Sequence, residues 1–134
     1  MVDLSRLQPG LIGSAELIVG EEHTAPRVGS GRVHVLATST MINSMEAASL
    51  NAVEHIMPPA HQSLGTLLEV KHYAATPVGM RISATAELLA ISGRTLEFRV
   101  EARDEREPIG DGALHRVVVN VARFDARVQA KLRS

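Results

Sequence analysis

Along one stretch of the chain, residues 38–57 (TSTMINSMEAASLNAVEHIM), apolar positions recur mostly three or four apart. Met41, Ile42, Met45, Leu50, Ala52, Val53, Ile56 and Met57 spread over a broad part of a helix circumference rather than a thin stripe. The spacing predicts a helix over 38–57, roughly 30 Å long at ~1.5 Å per residue. Thr38, Ser39 and Thr40 each offer a hydroxyl that can cap the unpaired amides of the first turn. Pro58 and Pro59 end the helix, because neither has an amide to donate and their rings clash with the preceding turn.

Elsewhere the pattern has a period of two. Ser14–Glu22 predicts a strand, bounded by Gly13 and by the turn-prone segment 23–32, which reads as a mobile loop. Val33–Leu36 is a short β-branched run that delivers the chain to the helix. Ser63–Tyr73 predicts a strand with Leu68, Val70 and His72 on one face and Leu67, Glu69 and Lys71 on the other. Arg81–Ile91, Thr95–Ala102 and Asp111–Phe124 are three further strands. The turn 74–79, the Ser92-Gly93 break and the polar segment 104–110 separate them. Residues 1–13 form a loosely attached lead-in, and Asp125–Arg133 a short terminal helix.

Consecutive strands with short connections pair antiparallel. One long apolar helix and one antiparallel sheet predict a two-layer α+β domain. A curved sheet wrapped around a single central helix is the hotdog fold. A lone sheet of this kind leaves its edges open, which predicts a homodimer or a higher homo-oligomer with sites between subunits.

Composition narrows the function. At 134 residues the chain is one domain, 1–134. Aromatic residues are only 2%, so the core is built from Leu, Ile, Val, Met and Ala. A net charge of −1 argues against a nucleic-acid partner. The absence of cysteine excludes disulfides, thiolate metal sites and a cysteine nucleophile. The histidines lack the close pairing of a metal site, so no metal is expected. No stretch approaches the ~20 apolar residues of a membrane span, and MVDLSRLQPG lacks the apolar run of a signal peptide. A soluble cytoplasmic protein is the expectation.

Glu46 is the one acid inside the apolar helix, and no lysine or arginine lies within a helical turn of it. Around it, several fragments keep a characteristic order and spacing. They are LAT at 36–38, ME at 45–46, SLGT at 63–66, HYAATPVG at 72–79, AEL at 86–88, and IGDG with His115-Arg116 within 109–116. Over roughly residues 30–130 this pattern resembles hotdog-fold thioesterases, and more narrowly the fluoroacetyl-CoA thioesterase-like family. The resemblance implies hydrolysis of an acyl-CoA thioester by a threonine, a glutamate and a histidine, at Thr38, Glu46 and His72. It implies ligand binding through Gly65 and Arg116. CoA enters as part of the substrate, and no separate cofactor is implied. The fluoroacetate-specific member carries lid-forming aromatic residues just ahead of the threonine. Arg32, Val33 and Leu36 stand there in this chain, which argues against fluoroacetyl specificity.

Each residue also has a plainer reading. A carboxylate in an apolar pocket has a raised proton affinity, which suits a general base; Glu46 could equally face water. Thr38 is either an N-cap or a nucleophile with a base beside it. His72 is either a proton acceptor or a core histidine satisfied by a backbone carbonyl. Gly65 marks a strand bulge or a close approach by ligand. Arg116 pairs with a phosphate or carboxylate of CoA, or belongs to an ion pair. Thr38 and Glu46, eight residues apart, would lie ~12 Å from each other on one continuous helix. Either Thr38 precedes the helix on a bent segment, or the threonine of one subunit meets the glutamate of another. The alternatives to an acyl-CoA thioesterase are a non-catalytic acyl-CoA or acyl-carrier binding protein and an enoyl-CoA hydratase on the same fold. The acyl group depends on Leu36, Met41, Met45 and the 23–32 segment.

Overall fold

The computed structural model describes residues 2–133. The element order is β1 (Ile12–Ile18), a 3-10 turn (Glu21–His23), α1 (Ala25–Val28), α2 (Thr38–Val53), a second 3-10 turn (Glu54–Ile56), β2 (His61–His72), β3 (Arg81–Ser92), β4 (Thr95–Arg103), β5 (Pro108–Asn120) and α3 (Val121–Ala130). The five strands form one antiparallel sheet in the order β1-β3-β4-β5-β2. This is the α+β hotdog arrangement.

Helix α2 buries Met41, Ser44, Met45, Ala48, Ser49, Ala52 and Val53, a face of three- and four-residue spacing. It meets the alternate residues Ile82, Ala84, Ala86 and Leu88 of β3, and Leu96, Phe98, Val100 and Ala102 of β4. Burying each large apolar side chain contributes on the order of 1.5–3 kcal/mol. That layer, more than helix propensity, holds α2 in place. Gly13 sets the approach: a Cβ there would collide with the backbone of Ala48 and Ala52. The helix therefore sits directly on β1.

The helix covers β1 and β3, reaches β4, and barely touches β2. Strand β2 is an edge whose sole partner in the sheet is β5. It leaves Leu64, Leu67 and Leu68 between 36% and 47% exposed, although a long apolar edge is a template for further strand pairing.

Several boundaries differ from the sequence expectation. The α-helix stops at Val53 and tightens into 3-10 geometry, because Pro58 forces Met57 into an extended conformation. Strand β1 covers 12–18 rather than 14–22, since its partner β3 begins at Arg81, opposite Ile18. The 23–32 segment is not simply a loop: Pro26 starts one helical turn and Gly29 closes it at φ 83°. The last strand ends at Asn120, where its partner β2 begins at His61. Asn120 then caps α3, its side chain accepting from the Arg123 amide at 3.1 Å, so the terminal helix starts at Val121 rather than Asp125.

Candidate active site

Ala37, not a hydroxyl residue, occupies the N-cap position of α2, and no side chain caps the helix. The expectation that Thr38, Ser39 or Thr40 caps the first turn therefore fails. The Thr38 hydroxyl turns instead to His72, with Oγ1 2.7 Å from Nδ1. Two hydrogen bonds, one between backbones and one between side chains, bring these residues together. The Leu36 amide donates to the Thr76 carbonyl at 2.9 Å, tying the segment ahead of α2 to the turn that follows β2. Buried Thr76 in turn donates its hydroxyl to Asp104 at 2.9 Å, which anchors that turn to the β4–β5 connection.

His72 closes β2 opposite Gly110, on the same face as Val70 and Leu68. Burial pushes its pKa below the ordinary histidine value of 6.5, with the Ala74 backbone opposing. The neutral ring is therefore the stable form near neutrality. With Nδ1 unprotonated, the threonine hydroxyl donates to it. Nε2 is buried and has no hydrogen-bond partner among the described residues. An open cleft of ≈ 260 Å³ lies beside the pair, lined by Val35, Leu36, Ala74 and Ala75. A larger hollow of ≈ 360 Å³ lies on the other face of the sheet among Ser83, Thr85, Glu101 and Arg103. Its closest hydroxyl pair is the Tyr73 phenol donating to the Asp111 carboxylate at 3.0 Å, on an exposed surface and without an imidazole, so size alone does not locate the chemistry.

The remaining expected residues form a second group. Glu46 Oε2 accepts from Arg116 Nη1 at 3.3 Å. Arg116 is 5% exposed. Its Nε donates to the Ser63 hydroxyl and its Nη2 to the Ser63 carbonyl, each at 2.8 Å. Burial lowers the pKa of the guanidinium, and Glu46 opposes that shift. Gly65 pairs with Arg116 across the β2–β5 ladder, and a Cβ on it would stand 3.0 Å from the Glu46 carboxylate. The strand-bulge reading of Gly65 holds, since the register shifts between Gly65 and Leu67, and the side chain that closely approaches it is Glu46.

Two expectations change here. Glu46 does not sit in an apolar pocket, because a guanidinium arrives from β5, seventy residues away in sequence. Arg116 belongs to an ion pair with Glu46 and is further held by Ser63. Thr38 is also the first residue of one continuous α-helix that includes Glu46. No bent segment separates them, and the two groups lie about 12 Å apart along the helix axis. Within one chain the structure brings Thr38 to His72, and Glu46 to Gly65 and Arg116, but does not join the two pairs.

The sequence model of the fluoroacetyl-CoA-specific thioesterase family, FlK, matches residues 19–122. The chain belongs to this family. It is 41% identical over 97 residues to the fluoroacetyl-CoA thioesterase of Streptantibioticus cattleyicolor, covering 72% of this chain and 70% of that protein. A solved structure of the fluoroacetyl-CoA thioesterase FlK superposes with a TM-score of 0.88 at 33% identity, over 93% of this chain and 97% of that one. A thioesterase-superfamily protein of Thermus thermophilus matches at 28% identity with a TM-score of 0.84, over 91% and 90% of the two chains. Point mutants of FlK have also been solved, one (threonine to serine) in complex with acetyl-CoA and another (phenylalanine to alanine) with fluoroacetate and CoA together.

In the segment ahead of the threonine, Leu36 is 1% exposed and belongs to the core, whereas Val33 is 67% exposed. Sequence reasoning missed Ser63, which orients Arg116 through two hydrogen bonds. The available signal was its position two residues before Gly65, on the same strand face. It also missed the Thr76–Asp104 anchor, for which the sequence carries no local signal.

Proposed function

We propose that this member of the thioesterase family hydrolyses small acyl-CoA thioesters in a homodimer. Each site combines Thr38 and His72 of one subunit with Glu46 of the partner subunit. The observation that carries the reading is the 2.7 Å contact between a hydroxyl and an imidazole whose pKa is lowered by burial. That pair is a nucleophile, or a water-holding hydroxyl, beside a ready proton acceptor.

The exposed apolar edge of β2 supports the assembly. A two-fold axis between Leu68 and Glu69 of β2 would reverse one strand against its copy. The His72 end of one subunit then approaches the Gly65 and Glu46 region of the other, which resolves the 12 Å separation.

His72 Nδ1 takes a proton from Thr38 or from a water, and the resulting oxygen nucleophile attacks the thioester carbonyl. The uncapped amides at the start of α2 offer donors for the developing oxyanion. The imidazolium returns the proton to the leaving CoA sulfur. Glu46, held by Arg116, orients the water that completes hydrolysis. The small apolar cleft lined by Val35, Leu36, Ala74 and Ala75 suits a short acyl chain, and the missing lid aromatics argue against selection for fluorine.

Subunit mixing tests the shared site. Thr38→Ala and Glu46→Ala are each expected to be inactive alone. Dissociated and reassociated together, they should recover about a quarter of wild-type activity, because half of the dimers carry one intact site of two. No recovery, despite confirmed heterodimers, would refute a site shared between subunits. A thiol-release screen over short, branched and aromatic acyl-CoAs separates hydrolysis from simple acyl-CoA or acyl-carrier binding, and from enoyl hydration.

A further inference from the structure

At the end of the sheet remote from His72, a polar cleft of ≈ 200 Å³ is lined by His61, Arg94, Asn120, Arg123 and Arg127, with Val2 at its side. Three guanidinium groups therefore face one small space. Arg123 and Arg127 stand one helical turn apart on α3, on the same side of the helix. Arg94 sits in the β3–β4 hairpin, whose position is fixed by its carbonyl accepting from the Val118 amide at 2.9 Å. Asn120 fixes the start of α3 by capping the Arg123 amide. His61 opens β2, opposite Asn120 in the ladder.

Like charges gathered this way repel unless something answers them. Three arginines outside the cleft have a carboxylate partner, Arg81 with Glu16, Arg99 with Glu87 and Arg116 with Glu46, and others such as Arg27 and Arg32 stand singly; only here do three arginines line one of the described clefts. Among the described residues no carboxylate lies within 4.0 Å of Arg94, Arg123 or Arg127. Planar guanidinium groups with no protein acceptor are suited to bidentate contact with phosphate oxygens.

We propose that this cleft binds the phosphates of the adenosine 3′,5′-bisphosphate end of CoA. The assignment deepens the thioesterase reading and rests on it. His61 precedes Gly65 by four residues on β2, about 13 Å along the strand. A thioester lying against the Gly65–Glu46 group can therefore run its pantetheine arm along β2 toward His61. The charged nucleotide end then meets the arginines in open solvent, while the acyl end stays in the apolar cleft. Contacts of this kind are remote from the reacting bond, so they act on binding rather than on the chemical step.

Two measurements test the proposal independently. Isothermal titration with adenosine 3′,5′-bisphosphate should show saturable binding that weakens with added salt. Arg123→Ala/Arg127→Ala should weaken it about tenfold or more, the scale of losing charge-assisted contacts. Arg127→Lys, which keeps the charge, should retain more affinity than Arg127→Ala. Kinetically, the double variant should raise KM for acetyl-CoA with kcat unchanged. It should also remove most of the preference for acetyl-CoA over acetyl-pantetheine. An unchanged dissociation constant, or inorganic phosphate binding as tightly as the bisphosphate, overturns the assignment. If neither thioester is hydrolysed by the wild type, the functional reading fails, and the titration still decides the cleft by itself.

Discussion

Replacing Thr38 with valine keeps the β-branched shape and removes only the hydroxyl. Losing one neutral hydrogen bond costs a net of about 1 kcal/mol. Losing an N-cap also costs about 1 kcal/mol. The single variant therefore cannot distinguish a hydroxyl that serves His72 from one that caps α2, and a double-mutant cycle can. The geometry gives the hydroxyl one side-chain partner, His72 at 2.7 Å, and no capping bond. Thr38→Val should thus cost about 1 kcal/mol in the wild type and no more than a few tenths in a His72→Ala background. With an unfolding entropy of about 2.1 cal/mol/K per residue over 134 residues, 1 kcal/mol corresponds to roughly 3–4 °C in Tm. The assay is thermal unfolding of the four proteins by circular dichroism at one fixed protein concentration, because Tm depends on concentration for any chain that self-associates. Hydrolysis is measured on the same four proteins. Each single change should lower turnover by about a hundredfold or more, and the double change little further, since the two groups act as a unit. An equal loss of stability from Thr38→Val in both backgrounds would refute the pairing and restore the capping role.

Three further outcomes follow from other parts of the structure. Because burial lowers the His72 pKa below 6.5, kcat/KM should hold constant above that value and decline on an acid limb whose inflection lies below it. The stability linkage has the matching sign. Unfolded His72 protonates first, so the contribution is fully present above pH 6.5 and is lost as pH falls through the lower folded value. An acid limb centred above 6.5 rules out His72 as the base. Leu68→Asp, at a β2 position 47% exposed, should yield a folded but inactive monomer by sedimentation and circular dichroism; a persistent, active dimer excludes the β2 interface. Gly13→Val should cost about 2–3 kcal/mol in denaturant unfolding, because its side chain meets the backbone of Ala48 and Ala52 rather than a flexible group. A cost near zero would mean that α2 does not bear directly on β1.

The fold was legible where period and burial agree. Alternation placed Leu68, Val70 and His72 on one face, and the ladder to β5 keeps them there. The three- and four-residue spacing around Met41 and Met45 marked the face of α2 that packs on β3 and β4. Boundaries were misjudged where an element ends because its partner ends. The run of Val117, Val118, Val119 and Val121 reads as one strand, and only the start of β2 at His61 leaves Asn120 free to cap a helix. Among the candidate site residues, pattern alone singled out Glu46 as anomalous. It could not foresee Arg116, because a search within one helical turn does not see a residue on another strand. The resemblance named Thr38 and His72 together, yet their contact depends on the Leu36–Thr76 hydrogen bond, which ties two irregular segments that no periodicity describes.

The continuity of α2 is the constraint from which the proposed arrangement follows. One straight helix holds Thr38 and Glu46 at a fixed separation of about 12 Å, and no side-chain rotation closes that gap. The same rigidity fixes each group against its own partner, His72 at one end and Arg116 two turns further on. A second copy placed antiparallel along β2 turns separation within a subunit into proximity between subunits, and it does so twice. Covering the exposed leucines of β2 and completing the hydrolytic site are then one event. On that arrangement, substitutions along the β2 edge act on catalysis without touching Thr38, His72 or Glu46, and the unpaired monomer holds two half-sites rather than one weak site.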